Sequence, residues 1–219
     1  MFTATQNIKA MTQKQYSAAD IANMEQRNKV HFVNSLTGFK SANLIGTVSA
    51  SGITNLCMLS SVINLGTDPA LIGFIYRQHA HVESNTLDNI LTTECFTLNH
   101  ITAEYLDDAH HTSARYHGDI SEFDHTCFDA QFGSMAAPYV SQSKIKIGLQ
   151  FKQTIELPLP GLVMIIGQVT EVMLDHDLLH EDGKIDLVAA QSLAVTGLDE
   201  YHTSKSLGRL DYAKPRAPG

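Results

Sequence analysis

Hydrophobic and polar residues alternate over much of the chain with the period of two that is typical of β-strands. The runs Asn43 to Ala50 and Thr54 to Ser61 flank Ser51-Gly52, and this pattern predicts a hairpin closed by a glycine turn. Ala70 to Tyr76 predicts a third strand, entered through a turn at residues 66–69. Its unbroken apolar run favours burial on both faces.

The second half of the chain continues the β pattern. Cys95 to His100 alternates, and two longer β segments, Lys144 to Leu157 and Leu162 to Leu174, are separated by the turn signal Pro158 to Gly161. Strands outnumber helices, and turn signals recur at a spacing of roughly 10 residues. The pattern favours a mainly β fold, a small antiparallel barrel or sandwich decorated by helices.

Three short helices interrupt the strands. Ser17 to Asp20 has the residues of a capping box and predicts a helix that runs to about Lys29. Ser84 to Thr86 can cap a second helix, in which Leu87, Ile90 and Leu91 return at helical spacing. Residues 103–114 predict a third, polar helix. Residues 119–138 are predicted to be irregular and partly loop, and the basic tail from Lys205 is predicted to be extended.

The composition narrows the class of protein. The chain has 219 residues, enough for one domain with appendages and for a core that needs no disulfide or metal. Its formal charge of −8 disfavours sequence-independent binding to nucleic acid, which needs a basic surface. Apolar runs fall well short of the roughly 18 residues of a membrane-spanning helix. We therefore expect neither nucleic acid nor membrane as a partner.

The cysteines and the start of the chain point to a cellular compartment. Cys57, Cys95 and Cys127 are widely spaced and form no CxxC motif, which favours free, mostly buried thiols in a reducing cytoplasm. Residues 1–16 are polar and lack the apolar stretch of a secretory signal. The sequence therefore predicts a cytoplasmic protein.

One segment combines a strand end, a loop and a helix start. Arg77 follows the third predicted strand, and Ser84, Asn85 and Thr86 stand at the start of the next helix. N–H groups at a helix N-terminus bind phosphate readily, and a guanidinium adds a charged, forked donor. The segment is therefore a candidate anion site, although an ordinary helix cap beside an unrelated surface arginine would also account for it.

A second segment, Asn55 to Ser61, ends an apolar strand with two adjacent hydroxyls. Such a strand end can offer backbone amides to a planar heterocycle and the Ser60 and Ser61 hydroxyls to a polar tail. The plainer interpretation is a strand that runs into a polar turn. By itself this segment does not decide between the two.

The histidines and the missing motifs bear on other chemistries. His79 and His81 could face one side of an extended segment and hold a metal ion, but no third ligand stands at a matching spacing. A structural or solvated role is the favoured interpretation. The GxSxG, GxGxxG and Walker motifs are absent from the sequence. The sequence therefore identifies no catalytic residue and argues against a Rossmann or P-loop nucleotide site.

Several short motifs follow one another in a definite order along the chain. They are Gly52 to Ser61; Asp68 to Leu71; Arg77 with Thr86, Asn89 and Ile90; Phe96 to Asn99; Thr112 to Tyr116; Ile120 to Phe123; Ala137 to Lys146; Gly197 to Tyr201; and Arg209 to Pro215. Taken together, they resemble the flavin reductase-like, FMN-binding split-barrel family. Where many relatives carry Pro-Arg-Pro, this chain has Phe39-Lys40-Ser41, and Lys40 would supply a similar charge.

The resemblance implies an antiparallel Greek-key split β-barrel with peripheral helices, assembled as a homodimer with FMN near the subunit interface. It assigns residues 29–215 to this domain, after an N-terminal extension with a short helix (residues 1–28) and before a tail (216–219). The residues that it assigns to FMN are Arg77, Thr86 and Asn89 at the phosphate, with Asn85 as a further candidate; Ser60 and Ser61 at the ribityl or phosphate region; and the backbone of Met58 and Leu59 at the isoalloxazine edge.

The resemblance also implies an activity. NADH or NADPH would pass a hydride to the bound FMN, and electrons would leave to free flavin, a metal centre or a redox partner protein. Two alternatives stay open at this point. The first is an FMN-binding electron carrier of flavoredoxin type, or a sensor, without its own nicotinamide activity. The second is a β-barrel that binds a metal through its histidines.

Overall fold

The computed structural model describes residues 13–77 and 85–216, in which twelve strands and four α-helices surround two large buried clusters and a third, small one. The strands are β1 (Lys40–Ser41), β2 (Asn43–Val48), β3 (Thr54–Leu59), β4 (Ile63–Thr67), β5 (Ala70–Arg77), β6 (Cys95–His100), β7 (Ala130–Gln131), β8 (Tyr139–Val140), β9 (Ile145–Glu156), β10 (Leu162–Leu174), β11 (Ala194–Thr196) and β12 (Glu200–His202). The α-helices are α1 (Ala18–Ala22), α2 (Gln26–Ser35), α3 (Asn85–Thr93) and α4 (Leu106–His111).

Seven strands form one antiparallel sheet in the order β3-β2-β6-β9-β10-β5-β4. The long pair β9–β10 has two register shifts, and such irregularities bend a sheet and increase its twist. Ile45 of β2 and Phe74 of β5, which lie far apart in the strand order, share one buried cluster. The sheet therefore curls into the predicted split barrel, and the mainly β, antiparallel architecture is confirmed.

The two faces of β2 bury different clusters. Ile45 faces the barrel interior and belongs to the barrel cluster, which includes Phe74 and Phe96. The rings of these two phenylalanines meet edge to face at 5.5 Å between centroids. Leu44 faces the other way and packs with Leu56 in the second cluster, which also contains Ala109 of α4 and Val195 of β11. Because adjacent residues of a strand point to opposite faces, this single strand belongs to both cores.

The predicted hairpin is present, with β2 paired to β3 and Gly52 at φ +87°, a conformation that favours glycine. The strands predicted near residues 95–100, 144–157 and 162–174 are also present. The helix predicted for residues 103–114 consists of a 3₁₀ turn and α4. In the segment predicted to be irregular, residues 119–138, the structure has a 3₁₀ turn at Glu122–His125 and the short strand β7.

The N-terminal helix differs from its prediction, because α1 ends at Ala22 and a second helix, α2, continues to Ser35. The Ser17 capping box is formed as predicted. Glu25 then starts the new helix, since its carboxylate accepts the N–H groups of Arg27 and Asn28 at 3.1 Å each. The prediction of β-like chain after Lys29 is therefore wrong for residues 30–35.

Two other strand predictions need correction. Strand β4 covers part of the predicted turn and pairs with β5 at the edge of the sheet. Its side chains are mostly exposed, so it lacks the apolar alternation that marks a half-buried strand. In β5 only Gly73 and Phe74 are buried, so the prediction of burial on both faces along the whole strand is wrong.

A small sheet of β1, β11 and β12 packs beside the second cluster. All three cysteines are free; Cys95 is buried and Cys57 half-buried, but Cys127 is exposed, unlike the buried thiol expected. Among residues 13–77 and 85–216, the helices are too short or too polar to cross a membrane.

Candidate functional site

A cleft of about 350 Å³ opens at one end of the barrel. It lies between the β2–β3 hairpin, the first turn of α3 and the loop at residues 117–120. Its lining residues are Ser49, Ile53, Thr54, Asn55, Asn85, Asp88, Asn89, His117, Gly118, Asp119 and Ile120. This volume falls within the range of small-molecule sites in proteins.

Four buried polar side chains form a network at this cleft, and two of them, Asn55 and Asn89, line it. The Asn55 amide donates to the Thr47 hydroxyl at 3.3 Å and to the Thr86 hydroxyl at 3.2 Å. The Asn89 amide donates to the same Thr47 oxygen at 3.1 Å. All four residues are less than one-tenth exposed. Buried polar groups must be hydrogen-bonded, so this network holds the start of α3 in one orientation on the hairpin.

The position of α3 follows from its apolar face. Leu87 and Ile90 are buried in the barrel cluster, which turns the opposite face of the first helical turn, with Asn85 and Asn89, towards the cleft. N–H groups of a first helical turn carry partial positive charge. The helix start therefore offers both backbone and amide donors to a ligand in the cleft.

The opposite wall is fastened to β3 by two polar contacts. The Ser121 and Thr54 hydroxyls lie 2.7 Å apart, and the Glu122 carboxylate accepts the Leu56 N–H at 2.8 Å. Glu122 is only 5% exposed, and this burial raises the pKa of its carboxyl. The two contacts position the loop at residues 117–120 along the rim of the cleft.

The charges around the cleft are mainly negative. Asp88 and Asp119 line it, and Asp119 accepts a hydrogen bond from His117 at 2.6 Å, which holds the pKa of Asp119 below its usual value. The described lining contains no Lys or Arg. A phosphate-bearing ligand would therefore need a cation from beyond this lining, and Arg77 is the sequence-predicted candidate.

The predicted residues at the strand ends form a second group. Met58 and Leu59 end β3, where Met58 packs on the second cluster and Leu59 on the barrel cluster. The Ser61 hydroxyl donates to the Ile75 carbonyl at 2.9 Å and accepts the Ile75 N–H at 3.0 Å. Ser61 thus lies against β5 two residues before its exposed last residue, Arg77.

Of the predicted residues, Asn85 and Asn89 line the cleft, and Thr86 lies behind it, bonded to the lining residue Asn55. Met58 to Ser61 and Arg77 do not line it. Met58 and Leu59 lie at the far end of the hairpin strand β3, and Ser61 and Arg77 lie at β5. Ser84, one of the predicted cap residues, lies outside the described residues. Lys40 donates to the Gly197 carbonyl at 3.1 Å and so fastens the small sheet.

Sequence reasoning missed part of this site. Thr47 and Asn55 entered no predicted ligand set, although Asn55 opened the strand-end segment, because a lone polar residue in a strand gives no signal of its partners. The loop at residues 117–120 lies between two motifs of the resemblance, Thr112 to Tyr116 and Ile120 to Phe123. The two motifs could have drawn attention to the loop, but the resemblance assigns no function to it.

The metal hypothesis gains no support from the described part of the chain, where no three metal-ligating side chains lie close enough to share an ion. His79 and His81 lie outside the described residues. His110 contacts the Tyr201 hydroxyl at 2.9 Å, and His111 contacts the Tyr116 hydroxyl at 2.6 Å. Both neighbouring histidines therefore have tyrosine partners.

Comparisons with known proteins agree with the fold. A candidate flavin reductase with a split barrel domain from Shewanella frigidimarina is 40% identical, with a TM-score of 0.87 over 92% of this chain and 100% of that one. Nitrilotriacetate monooxygenase component B from Bacillus cereus is 15% identical, with a TM-score of 0.80 over 90% and 100%. Flavoredoxin of Desulfovibrio vulgaris is 18% identical, with a TM-score of 0.69 over 80% and 92%.

A search of curated protein sequences gave no match. The sequence model described as Flavin reductase like domain matches residues 36–189, which is well over half of the chain. That match and the 40% identical structure agree with the family resemblance of the ordered motifs. The chain therefore belongs to the flavin reductase-like domain family.

Proposed function

We propose that this protein binds FMN and acts as an oxidoreductase, with NADH or NADPH as the source of hydride. The observation that carries the proposal is the buried network of Thr47, Asn55, Thr86 and Asn89, which holds a helix start at the edge of a ligand-sized cleft in a flavin reductase-like chain. In this proposal the flavin supplies the redox chemistry, and the chain binds and orients it.

The chemistry of the donor set fits a flavin mononucleotide. Amide and hydroxyl groups at the start of α3 suit the oxygens of a phosphate or of a sugar chain. The two carboxylates of the lining disfavour a dianion, so the fit requires a cation near the helix start. Arg77 at the end of β5 would provide that charge, and Ser60 and the ends of Met58 and Leu59 would contact the rest of the molecule.

When bound, the flavin accepts a hydride from a reduced nicotinamide and passes electrons onward. The protein would bind and orient the two rings, and such positioning can supply much of the acceleration. We further propose that the protein is a homodimer with FMN near the interface. The acceptor would be free flavin or a redox partner protein.

The first experiment is an absorbance spectrum of the purified protein, before and after incubation with FMN. We expect a flavin spectrum that bleaches within the mixing time when NADH or NADPH is added without oxygen. A flavin that stays oxidised under these conditions would instead support an electron carrier of flavoredoxin type. A protein that takes up no flavin at all would contradict both.

The second experiment tests the proposed cation. We expect Arg77→Ala to weaken FMN binding by about 1.5–3 kcal/mol, the scale of a hydrogen bond to a charged group, as measured by quenching of flavin fluorescence. Arg27→Ala, which removes an exposed arginine at the start of α2, is the matched control and should leave the affinity unchanged. Equal affinity of the folded Arg77→Ala protein and the wild type would remove Arg77 from the site.

A further inference from the structure

The last described segment, residues 203–216, is an arm without regular secondary structure, and all of its residues are exposed. Three large apolar side chains stand within it. Leu207 is 99% exposed, Leu210 98% and Tyr212 90%. Single exposed apolar residues are normal on protein surfaces, but three of them fully exposed within residues 207–212 indicate a surface that is covered in use.

The body of the same protomer does not cover these side chains. Arg209 forms an ion pair with Asp182, which fastens the arm to the body at a point between Leu207 and Leu210. The two leucines remain almost fully exposed although this contact is made. The arm thus runs beside its own body with its apolar side chains turned to solvent.

The charge of the arm indicates what it contacts. The arm carries Lys205, Arg209, Lys214 and Arg216 against a single acid, Asp211, which gives it a formal charge of +3. The total charge of the chain is −8, so the remainder carries −11. Opposite charges favour association, and every copy of this chain presents the acidic surface that the basic arm needs.

Three exposed apolar residues, Leu36, Phe39 and Leu198, stand near the base of the arm and are called here the apolar patch. Their chain neighbours meet, since Lys40 donates to the Gly197 carbonyl and the Ser35 hydroxyl lies next to Gly197. Phe39 is 71% exposed, Leu36 65% and Leu198 53%. The Phe39 ring meets the ring of His202, the last residue before the arm, edge to face at 4.8 Å. In a two-fold symmetric dimer, the same surface of each copy forms the interface. If the apolar patch is part of that interface, the base of each arm lies next to the other subunit.

The arm is long enough to reach across a second subunit. An extended chain spans about 3.3 Å per residue, so residues 203–216 reach about 45 Å, comparable to the diameter of a domain of this size. We propose that the arm crosses to a second copy of this chain and packs Leu207, Leu210 and Tyr212 against it. This inference rests on the homodimer put forward under the proposed function.

The test compares the full chain with a variant that ends at Ser204 and with the double variant Leu207→Ser/Leu210→Ser. Sedimentation velocity over a dilution series gives the dimer dissociation constant of each. We expect the full chain to be a dimer and both variants to dissociate at least tenfold more readily. Because the arm is basic and the body acidic, we also expect the full-chain dimer to weaken as salt is raised.

The matched control is Leu159→Ser/Leu179→Ser, which removes two leucines that are 58% and 48% exposed elsewhere on the surface. It should dimerise like the wild type. A monomeric full chain, or an arm variant with the dissociation constant of the wild type, would overturn the proposal. Slow amide exchange at residues 207–212 in a monomeric full chain would show that the body of the same protomer covers the arm. That result would also overturn the proposal.

Titration with FMN on the same proteins separates this inference from the proposed function. If the arm variants are monomers that still bind FMN, the arm inference holds independently of the site. If the full chain and the variants differ in dimerisation but none binds FMN, the proposed function fails and the arm inference stands. Circular dichroism confirms that the variants are folded before either comparison is made.

Discussion

His100 ends β6 with a half-buried ring whose Nδ1 lies 2.9 Å from the Ser192 hydroxyl. Burial disfavours the charged imidazolium and lowers the pKa of His100 from 6.5 to about 4. Between these values the unfolded chain binds a proton that the folded protein does not bind. The stability that His100 contributes is therefore complete above pH 6.5 and is lost as the pH falls towards 4.

We predict that His100→Gln removes this pH dependence. The wild type should lose about 3 kcal/mol of unfolding free energy from this one group between pH 6.5 and 4, since one pKa unit corresponds to about 1.4 kcal/mol. Urea unfolding of both proteins across this range is the measurement, and the difference between them isolates His100 from the carboxylates. His31→Gln, at an exposed position of α2, is the control for replacing a histidine by glutamine. Parallel curves for wild type and His100→Gln would refute the assignment.

Single residues also show where the sequence was informative about the site. Thr86 and Asn89 were predicted from the motifs, and both lie in the buried network of the cleft. Thr47 and Asn55 were not predicted, because their role depends on a contact between β2, β3 and a helix that follows much later in the chain. Glu122 could not be found for the same reason: its partner, the Leu56 N–H, is 66 residues away.

At the scale of elements, the edge strand β4 depends on one side chain. Two residues before β4 begins, the Ser61 hydroxyl bonds to both the N–H and the carbonyl of Ile75, so it extends the hydrogen bonding of β5 past the Ile63–Gly73 pair. This gives Ser61 a structural task in addition to the ligand contact predicted for it. For the neighbouring Ser60, only the contact with FMN is predicted.

We predict that Ser61→Ala lowers the unfolding free energy by about 1–2 kcal/mol, because two hydrogen bonds to a partly buried backbone are lost. Ser60→Ala is the matched control and should change stability little. Urea unfolding measures both, and amide exchange at Ile75 should accelerate in Ser61→Ala alone. An unchanged exchange rate at Ile75 would show that the hydroxyl does not hold this strand edge.

Elements were predicted well where they are long and half-buried, as in β9 and β10, since apolar periodicity then extends over many residues. The elements that were missed are short or exposed. Strands β11 and β12 have three residues each, too few for a periodic signal, and β11 also pairs with β1, which lies far away in sequence. The helix α2 has no buried residue and so lacks a visible apolar face.

At the scale of the whole molecule, the two larger buried clusters share strand β2 and should not unfold separately. Leu44 and Ile45 are adjacent, fully buried and on opposite faces of β2. A loss of packing in either cluster would release the same strand from its neighbours β3 and β6. The fold therefore predicts one cooperative transition rather than two.

We predict that Leu44→Ala and Ile45→Ala each lower the unfolding free energy by about 2–5 kcal/mol and that each shifts a single transition. Tyrosine fluorescence and far-UV circular dichroism, followed through the same urea titration, should give coincident curves. Val172→Ala, at a site 45% exposed on β10, is the control and should cost less than about 1 kcal/mol. A plateau between two transitions in either core variant would show that the clusters are independent.

The cleft, finally, is assembled from segments between Ser49 and Ile120 that meet only in the folded chain. An unfolded chain has no such site, so every bound ligand molecule withdraws protein from the unfolding equilibrium. At a free ligand concentration a hundred times the dissociation constant, mass action adds about 2.7 kcal/mol to the folded state. The melting temperature of this protein would then rise with the free concentration of its ligand.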